Sequence, residues 1–193
     1  MPIKPKLNTD EILKAEYNYI ANTVFQANED RSRVTTFYFV SVGSLIAAIL
    51  GFQFGENQTK GVSLAFFFLF LVLTAMGWLT IAQLARLRAA WHESVEAMNK
   101  IKDYYIKDNP EIASAFKWRV KSIPPTNKPH SIANFTAFEV AMLGSLTTSA
   151  GIYFLMSFLG NLSWVTWVFV AASFIFGFLA QWSWYLHLLV DDR

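Results

Sequence analysis

The sequence predicts an all-α fold: a polytopic membrane protein with four transmembrane helices in two hairpins, plus cytoplasmic helical extensions. Three observations predict it. The first is composition: 54% of the 193 residues are hydrophobic and only 16% are charged, against about a quarter charged in an ordinary soluble domain. The second is the charge map. Val34 to Gly55 is 22 residues without a charge, Gly61 to Ala85 is 25, and Val140 to Val190 is 51, interrupted near neutral pH only by His187. A bilayer core needs about 20 helical residues to cross. The first two runs therefore supply one crossing each, and the third supplies two around a Gly160-Asn161 turn. The expected spans are 34–54, 62–84, 136–159 and 164–188. Buried helices of soluble proteins rarely run this long without a charge on any face.

The third observation is the placement of cations. Residues 1–33 carry five Lys and Arg, residues 86–135 carry nine, and Arg193 closes the chain; only Lys60 lies elsewhere. Fifteen of sixteen fall on one side, which the positive-inside rule assigns to the cytoplasm. Both termini and the long middle segment are expected there, in the cell (inner) membrane. Only two short loops, Glu56 to Lys60 and Gly160 to Ser163, would face out, which argues against an extracellular receptor. Met1-Pro2-Ile3-Lys4-Pro5-Lys6 has neither the apolar core nor the cleavage site of a signal peptide.

In order along the chain, residues 1–33 form a cytoplasmic amphipathic helix. Asn8 and Glu11 make a capping box. Leu13, Tyr17, Ile20 and Val24 make an apolar stripe, which Tyr19 and Phe25 widen. No proline or glycine separates this helix from the first crossing, so one rod is expected from Thr9 to Phe54. Residues 34–84 are the first hairpin. Residues 85–135 are a cytoplasmic helical segment and linker. Leu84, Leu87, Trp91, Met98, Ile101 and Tyr105 keep a near-heptad spacing, with Val95 beside it, and form the natural partner of the N-terminal stripe. Asn109-Pro110 breaks that rod and starts a short helix, Glu111 to Val120. Lys117, Trp118 and Arg119 then read either as membrane-interface anchors or as a helix packed on the stalk. Pro124, Pro125 and Pro129 make a linker, and Ser131 or Asn134 caps the next helix. Residues 136–188 are the second hairpin, and 189–193 a cytoplasmic tail. Shifts of 100 and 101 positions align Gly43-Ser44-Leu45 with Gly144-Ser145-Leu146 and Gly77 with Gly177, a pattern that a duplicated hairpin would leave.

Two sets of intramembrane residues carry functional expectations. Small residues four apart, Gly43, Ala47 and Gly51 on the first span and Ala141, Ser145 and Ser149 on the third, allow close helix approach. Internal packing and an oligomer seam or pore lining are both open. Glu139 lies one turn inside the third span and His187 at the matching level of the fourth. With Arg33, Arg86 and Arg88 they form a candidate polar cluster, either an ion pair that pins helix depth or a gate sensitive to protons or ions. Gln83, Gln181 and Thr80 add hydrogen bonding near that level, and Gln53 and Gln58 mark the outer end.

Enzymatic chemistry is not expected. The chain has no Cys, its three histidines are far apart, and it contains no HExxH, Walker, GxGxxG or GxSxG pattern. No catalytic residue, metal ligand or cofactor is predicted. Nucleic acid is not expected as a partner either, because lipid phosphate accounts for the basic residues of 100–128. The expected partners are membrane lipids and further copies of the chain.

The run Ala27-Asn28-Glu29-Asp30-Arg31-Ser32-Arg33-Val34 entering an apolar helix resembles small bacterial membrane proteins of unassigned role. Over residues 9–107 the layout of cytoplasmic helix, charged shoulder, tight hairpin and returning helix is similar to SLATT-type and Pycsar-type transmembrane effectors of nucleotide-signalled phage defence. The chain departs from them in its second hairpin and in lacking a recognisable nucleotide-binding domain. That resemblance implies ligand-triggered membrane permeabilisation by an oligomer. The expected function is thus a non-enzymatic oligomerising membrane protein, an effector or pore-former controlled from the cytoplasm. The alternatives are a small ion or proton channel or transporter using Glu139, and an intramembrane lipid-acting enzyme built on Glu139 and His187.

Overall fold

A computed structural model describes residues 8–51 and 60–191. Among them it contains α-helices and short 3-10 turns and no strand. The helices are α1 (Thr9–Gly51), α2 (Lys60–Asp108), α3 (Ile132–Leu159) and α4 (Trp164–Asp191). All four are long and apolar enough to cross a membrane. The expected helix end at Phe54, the outer loop 56–59, Gln53, Gln58, Lys4, Lys6 and Arg193 lie outside the described residues.

Each boundary has a local cause. Asp10 and Glu11 occupy the first turn of α1, where the amide dipoles favour negative charge. At the end of α2, Asn109 turns backward: its N–H and its side-chain amide both donate to the Tyr105 carbonyl, at 3.1 and 3.3 Å. The Asn109 side chain therefore does not cap the turn that begins at Pro110. The α-helix expected over Glu111 to Val120 is corrected accordingly. Pro110–Ala115 is a 3-10 turn, Phe116 is extended, and Val120–Ser122 is a second 3-10 turn.

Ser131 is the cap of α3, its hydroxyl accepting from the Asn134 N–H at 3.3 Å. The helix starts at Ile132, a turn earlier than the expected span. It ends on Gly160, which is left-handed at φ 74°. The Gly160 and Asn161 N–H groups return to the Ser157 and Met156 carbonyls, both at 3.1 Å. This arrangement satisfies carbonyls that a helix end otherwise exposes. Thr166 then locks the turn, donating to the Asn161 carbonyl at 2.7 Å and accepting from the Ser163 N–H at 3.2 Å.

The chain forms two compact units, Met1–Asp30 with Leu87–Thr126, and Arg31–Arg86 with Asn127–Arg193. In the first, the two predicted stripes meet antiparallel. Thr23 and Ser94 share a hydrogen bond at 3.2 Å, and the Tyr105 hydroxyl donates to Asp10 at 3.3 Å. Ile20, Val95 and Ile106 are buried there. Tyr19 and Phe25 do not widen the packed stripe; both are exposed, because the partner helix covers only the narrow a/d seam. The proline linker is tied back by Arg88, whose Nε donates to the Thr126 carbonyl at 3.0 Å. The second unit is a bundle around Tyr38, Val42, Phe70, Ile81, Val140 and Tyr185.

Candidate functional site

Inside the bundle, α2 and α3 pack antiparallel along a single seam. Ser63 and Ser157 share a hydrogen bond at 3.1 Å. One turn on, the Phe66 and Phe70 rings lie 5.1 and 5.6 Å from Phe154. Phe70 also packs over Gly151. Thr74 and Thr147 share a bond at 3.1 Å. Then Gly77 meets Gly144, so closely that a β-carbon on Gly77 would lie 3.3 Å from the Gly144 α-carbon. These positions recur every three or four residues on both helices, which is the spacing of one helix face. Between apolar helices, close approach and a few hydroxyl bonds provide the cohesion.

Most hydroxyls in this unit satisfy themselves on their own helix. Thr147 and Thr148 both donate to the Gly144 carbonyl at 2.8 Å, and Ser149 donates to that of Ser145 at 2.9 Å. Such i−3 and i−4 bonds let a polar residue sit in an apolar helix without a partner elsewhere.

Two side chains do not obey that rule. Gln181 of α4 is fully buried, and neither its amide oxygen nor its nitrogen has a hydrogen-bond partner. It lies against Gly144, where a β-carbon would collide with the amide. Tyr38 of α1 is equally buried and sits over Gly77, its hydroxyl facing Thr147 without a well-formed hydrogen bond. The two glycines of the crossing thus each accommodate one polar side chain from an outer helix. Uncompensated buried polar groups cost about 1–3 kcal/mol each. Sequence reasoning placed Gln181 as a hydrogen-bonding residue near the inner boundary and passed over Tyr38. The usable signal was that Gln181 interrupts an otherwise apolar stretch of α4.

The small-residue stripes separate. Ala141, Ser145 and Ser149 are buried within the bundle, and Ser145 packs against Gly177 of α4. Gly43, Ala47 and Gly51 are exposed along α1, and among the described residues nothing lies within 4 Å of a β-carbon built on Gly43 or Gly51. One stripe is therefore used inside the chain, and the other is open. The aligned segments Gly43-Ser44-Leu45 and Gly144-Ser145-Leu146 accordingly have different surroundings.

The five candidate ionisable residues divide between the two units, four in the bundle and Arg88 in the other. Glu139, His187, Arg33 and Arg86 all stand at exposed positions of the bundle unit. Arg88 belongs to the other unit, where its guanidinium also lies 4.5 Å above the Trp91 ring. Helical phase explains the difference: Val140 and Ala141 face the core, which turns Glu139 outward. Of the interface anchors, Lys117 and Trp118 are exposed. Arg119 donates through Nε to Asp103 of α2 at 2.7 Å, so it pins the segment to the helix. Among the described residues no group of three or more His, Asp or Glu side chains is placed to hold a metal ion.

Compared with known proteins, the chain matches no family model, no curated protein and no solved structure.

Proposed function

We propose that the protein is a non-enzymatic multi-pass membrane protein that assembles with further copies of itself through α1. Both termini would lie in the cytoplasm, and the assembly would act as an effector or pore-former controlled from that side. The supporting observation is the open Gly43, Ala47, Gly51 face on a helix apolar enough to cross a membrane. Glycine and alanine four apart let two helices approach to backbone contact, and lipid tails fill such a groove less well than a second helix does. The matching stripe on α3 is already covered, so α1 presents the free surface.

The chain has no Cys, so single cysteines report cleanly. In membranes, Ala47→Cys is expected to form disulfide-linked dimers on mild oxidation. Phe176→Cys, on an exposed face of α4, serves as the control. Gly43→Leu should lower the oligomer mass in native mass spectrometry. Equal cross-linking at both positions, or a strictly monomeric particle, sinks the proposal. Accessibility of cysteines at either terminus only from outside the cell would overturn the orientation.

A second reading is an ion or proton path through the bundle. The buried Tyr38 hydroxyl and the unpartnered Gln181 amide favour it, since polar groups inside a span mark conduction routes as well as helix contacts. Proton or cation flux into liposomes, abolished by Gln181→Leu, would support that path, and its absence at every pH would remove it. Glu139→Gln tests whether the path opens at that carboxylate.

A further inference from the structure

The first compact unit contains a trough that neither the membrane assembly nor the bundle uses. Its volume is about 530 Å³, within the range of small-molecule sites. One wall is a single face of α1, where Asp10, Leu13, Lys14 and Tyr17 keep the i, i+3, i+4, i+7 pattern. The opposite wall is Ile101, Lys102 and Tyr105 of α2. Ile112 and Phe116, from the 3-10 turn and the extended residue after it, form the third side. Asn109 ends α2 and directs the chain into this position, which is why the segment lies over the helices rather than continuing one of them.

The lining is aromatic and aliphatic at its base and carries more positive than negative charge. Lys14 and Lys102 contribute two cations against the single carboxylate of Asp10, and that carboxylate already accepts the Tyr105 hydroxyl at 3.3 Å. Lys102 is held in place. It donates to Oδ1 of Asn99 at 2.9 Å and lies 5.8 Å above the Phe116 ring. Asn99 is fully buried, and its Nδ2 has no partner. A buried amide therefore orients the ammonium of a half-buried lysine beside a ring. A cation whose own contacts are neutral is left with its charge uncompensated and attracts an anion. The Asp10 carboxylate disfavours a multiply charged one.

We propose that this trough is a binding site for a small aromatic carboxylate. The anionic group pairs with Lys102 and Lys14, and the ring lies among Tyr17, Tyr105 and Phe116. The apolar faces supply contact area, and the oriented lysine supplies selectivity by charge sign. The trough would serve this role however the α1 face of the bundle is used.

The test uses the full-length protein in lipid nanodiscs with 2-naphthoate as probe, read by saturation-transfer NMR and calorimetry. Its isosteric cation, 2-naphthylmethylammonium, and empty nanodiscs are the controls. Saturable binding of the carboxylate with Kd below about 1 mM is expected. It should weaken roughly ten-fold or more in Lys102→Gln and Phe116→Ala. Lys102→Arg keeps the charge and should keep most of the affinity. Circular dichroism and an unchanged elution profile verify that each variant is folded. If Lys102→Gln misfolds, Lys14→Gln on the opposite wall supplies the charge test. Failure to saturate, equal uptake by empty nanodiscs, tighter binding of the cation, or indifference of a folded charge variant each overturns the proposal.

Discussion

Gly77 of α2 and Gly144 of α3 face each other at the crossing of their helices, with the Tyr38 hydroxyl over the first and the Gln181 amide over the second. Neither position has room for a methyl group without displacing a neighbour. On Gly77 it would come within 2.8 Å of Tyr38 Oη, and on Gly144 it would overlap Gln181 Oε1.

Gly77→Ala and Gly144→Ala are therefore expected to destabilise the bundle by about 1–3 kcal/mol, the usual cost of overfilling a packed contact. Gly43→Ala meets nothing within 4 Å among the described residues and should leave the stability of the single chain unchanged or slightly raised. Thermal unfolding in mild detergent separates the two classes. Equal midpoints for all three variants would show that the crossing is looser than the structure places it.

Removing the orphaned amide offers the converse test. Gln181→Leu keeps most of the volume and removes two buried polar atoms without partners, so a gain of about 1–2 kcal/mol is expected. A loss of similar size would mean that Gln181 is hydrogen-bonded in the working protein, which favours the path through the bundle.

Gly160 is left-handed at φ 74°, a conformation that costs other L-residues about 1 kcal/mol and asparagine less. Gly160→Ala should weaken the α3–α4 turn by about that amount, and Gly160→Asn by less. Hydrogen exchange of the Gly160 and Asn161 region reads the local loss directly. Identical exchange in both variants would argue against the left-handed cap.

The Tyr105 hydroxyl titrates above the ordinary tyrosine value, first because it is partly desolvated and then because Asp10 stands beside it. The raised value means that the neutral hydroxyl is the stabilising form. Its contribution is complete below about pH 10 and is lost as pH rises through the raised value. Asp10→Asn should lower the titration, because it removes the neighbouring carboxylate charge. Tyrosinate absorbance, with Tyr105→Phe subtracted, tracks it; an unchanged midpoint would show that the Asp10 contact is not made in solution.

Arg119 and Asp103 lie at 2.7 Å on partly exposed side chains. Asp103→Asn should release the segment after Phe116, seen as faster proteolysis after Lys117, at a global cost below about 1 kcal/mol. High salt should reproduce part of the effect. If neither change accelerates cleavage, the 3-10 turns are held by packing alone.

Much of the architecture was legible in the residues themselves. Uncharged runs of membrane-spanning length announced four long helices, and Gly160-Asn161 announced the turn between the last two. The 3.5-residue recurrence of Leu13, Tyr17 and Ile20 against Val95, Ile101 and Tyr105 announced the pairing in the first unit. These are local properties, set by hydropathy, backbone propensity and spacing along one chain. The bundle interior was not legible in the same way. Identical small-residue spacing on α1 and α3 led to an open face in one case and a buried seam in the other. Glu139, which one-dimensional reading placed among basic partners, stands outward because its neighbours Val140 and Ala141 take the core. Helical phase relative to a neighbour, and which neighbour lies across a crossing, depend on contacts between residues far apart in sequence. For that reason only the tertiary structure brought Tyr38, Gly77, Gly144 and Gln181 to one crossing, or closed Lys14, Lys102 and Phe116 around one trough.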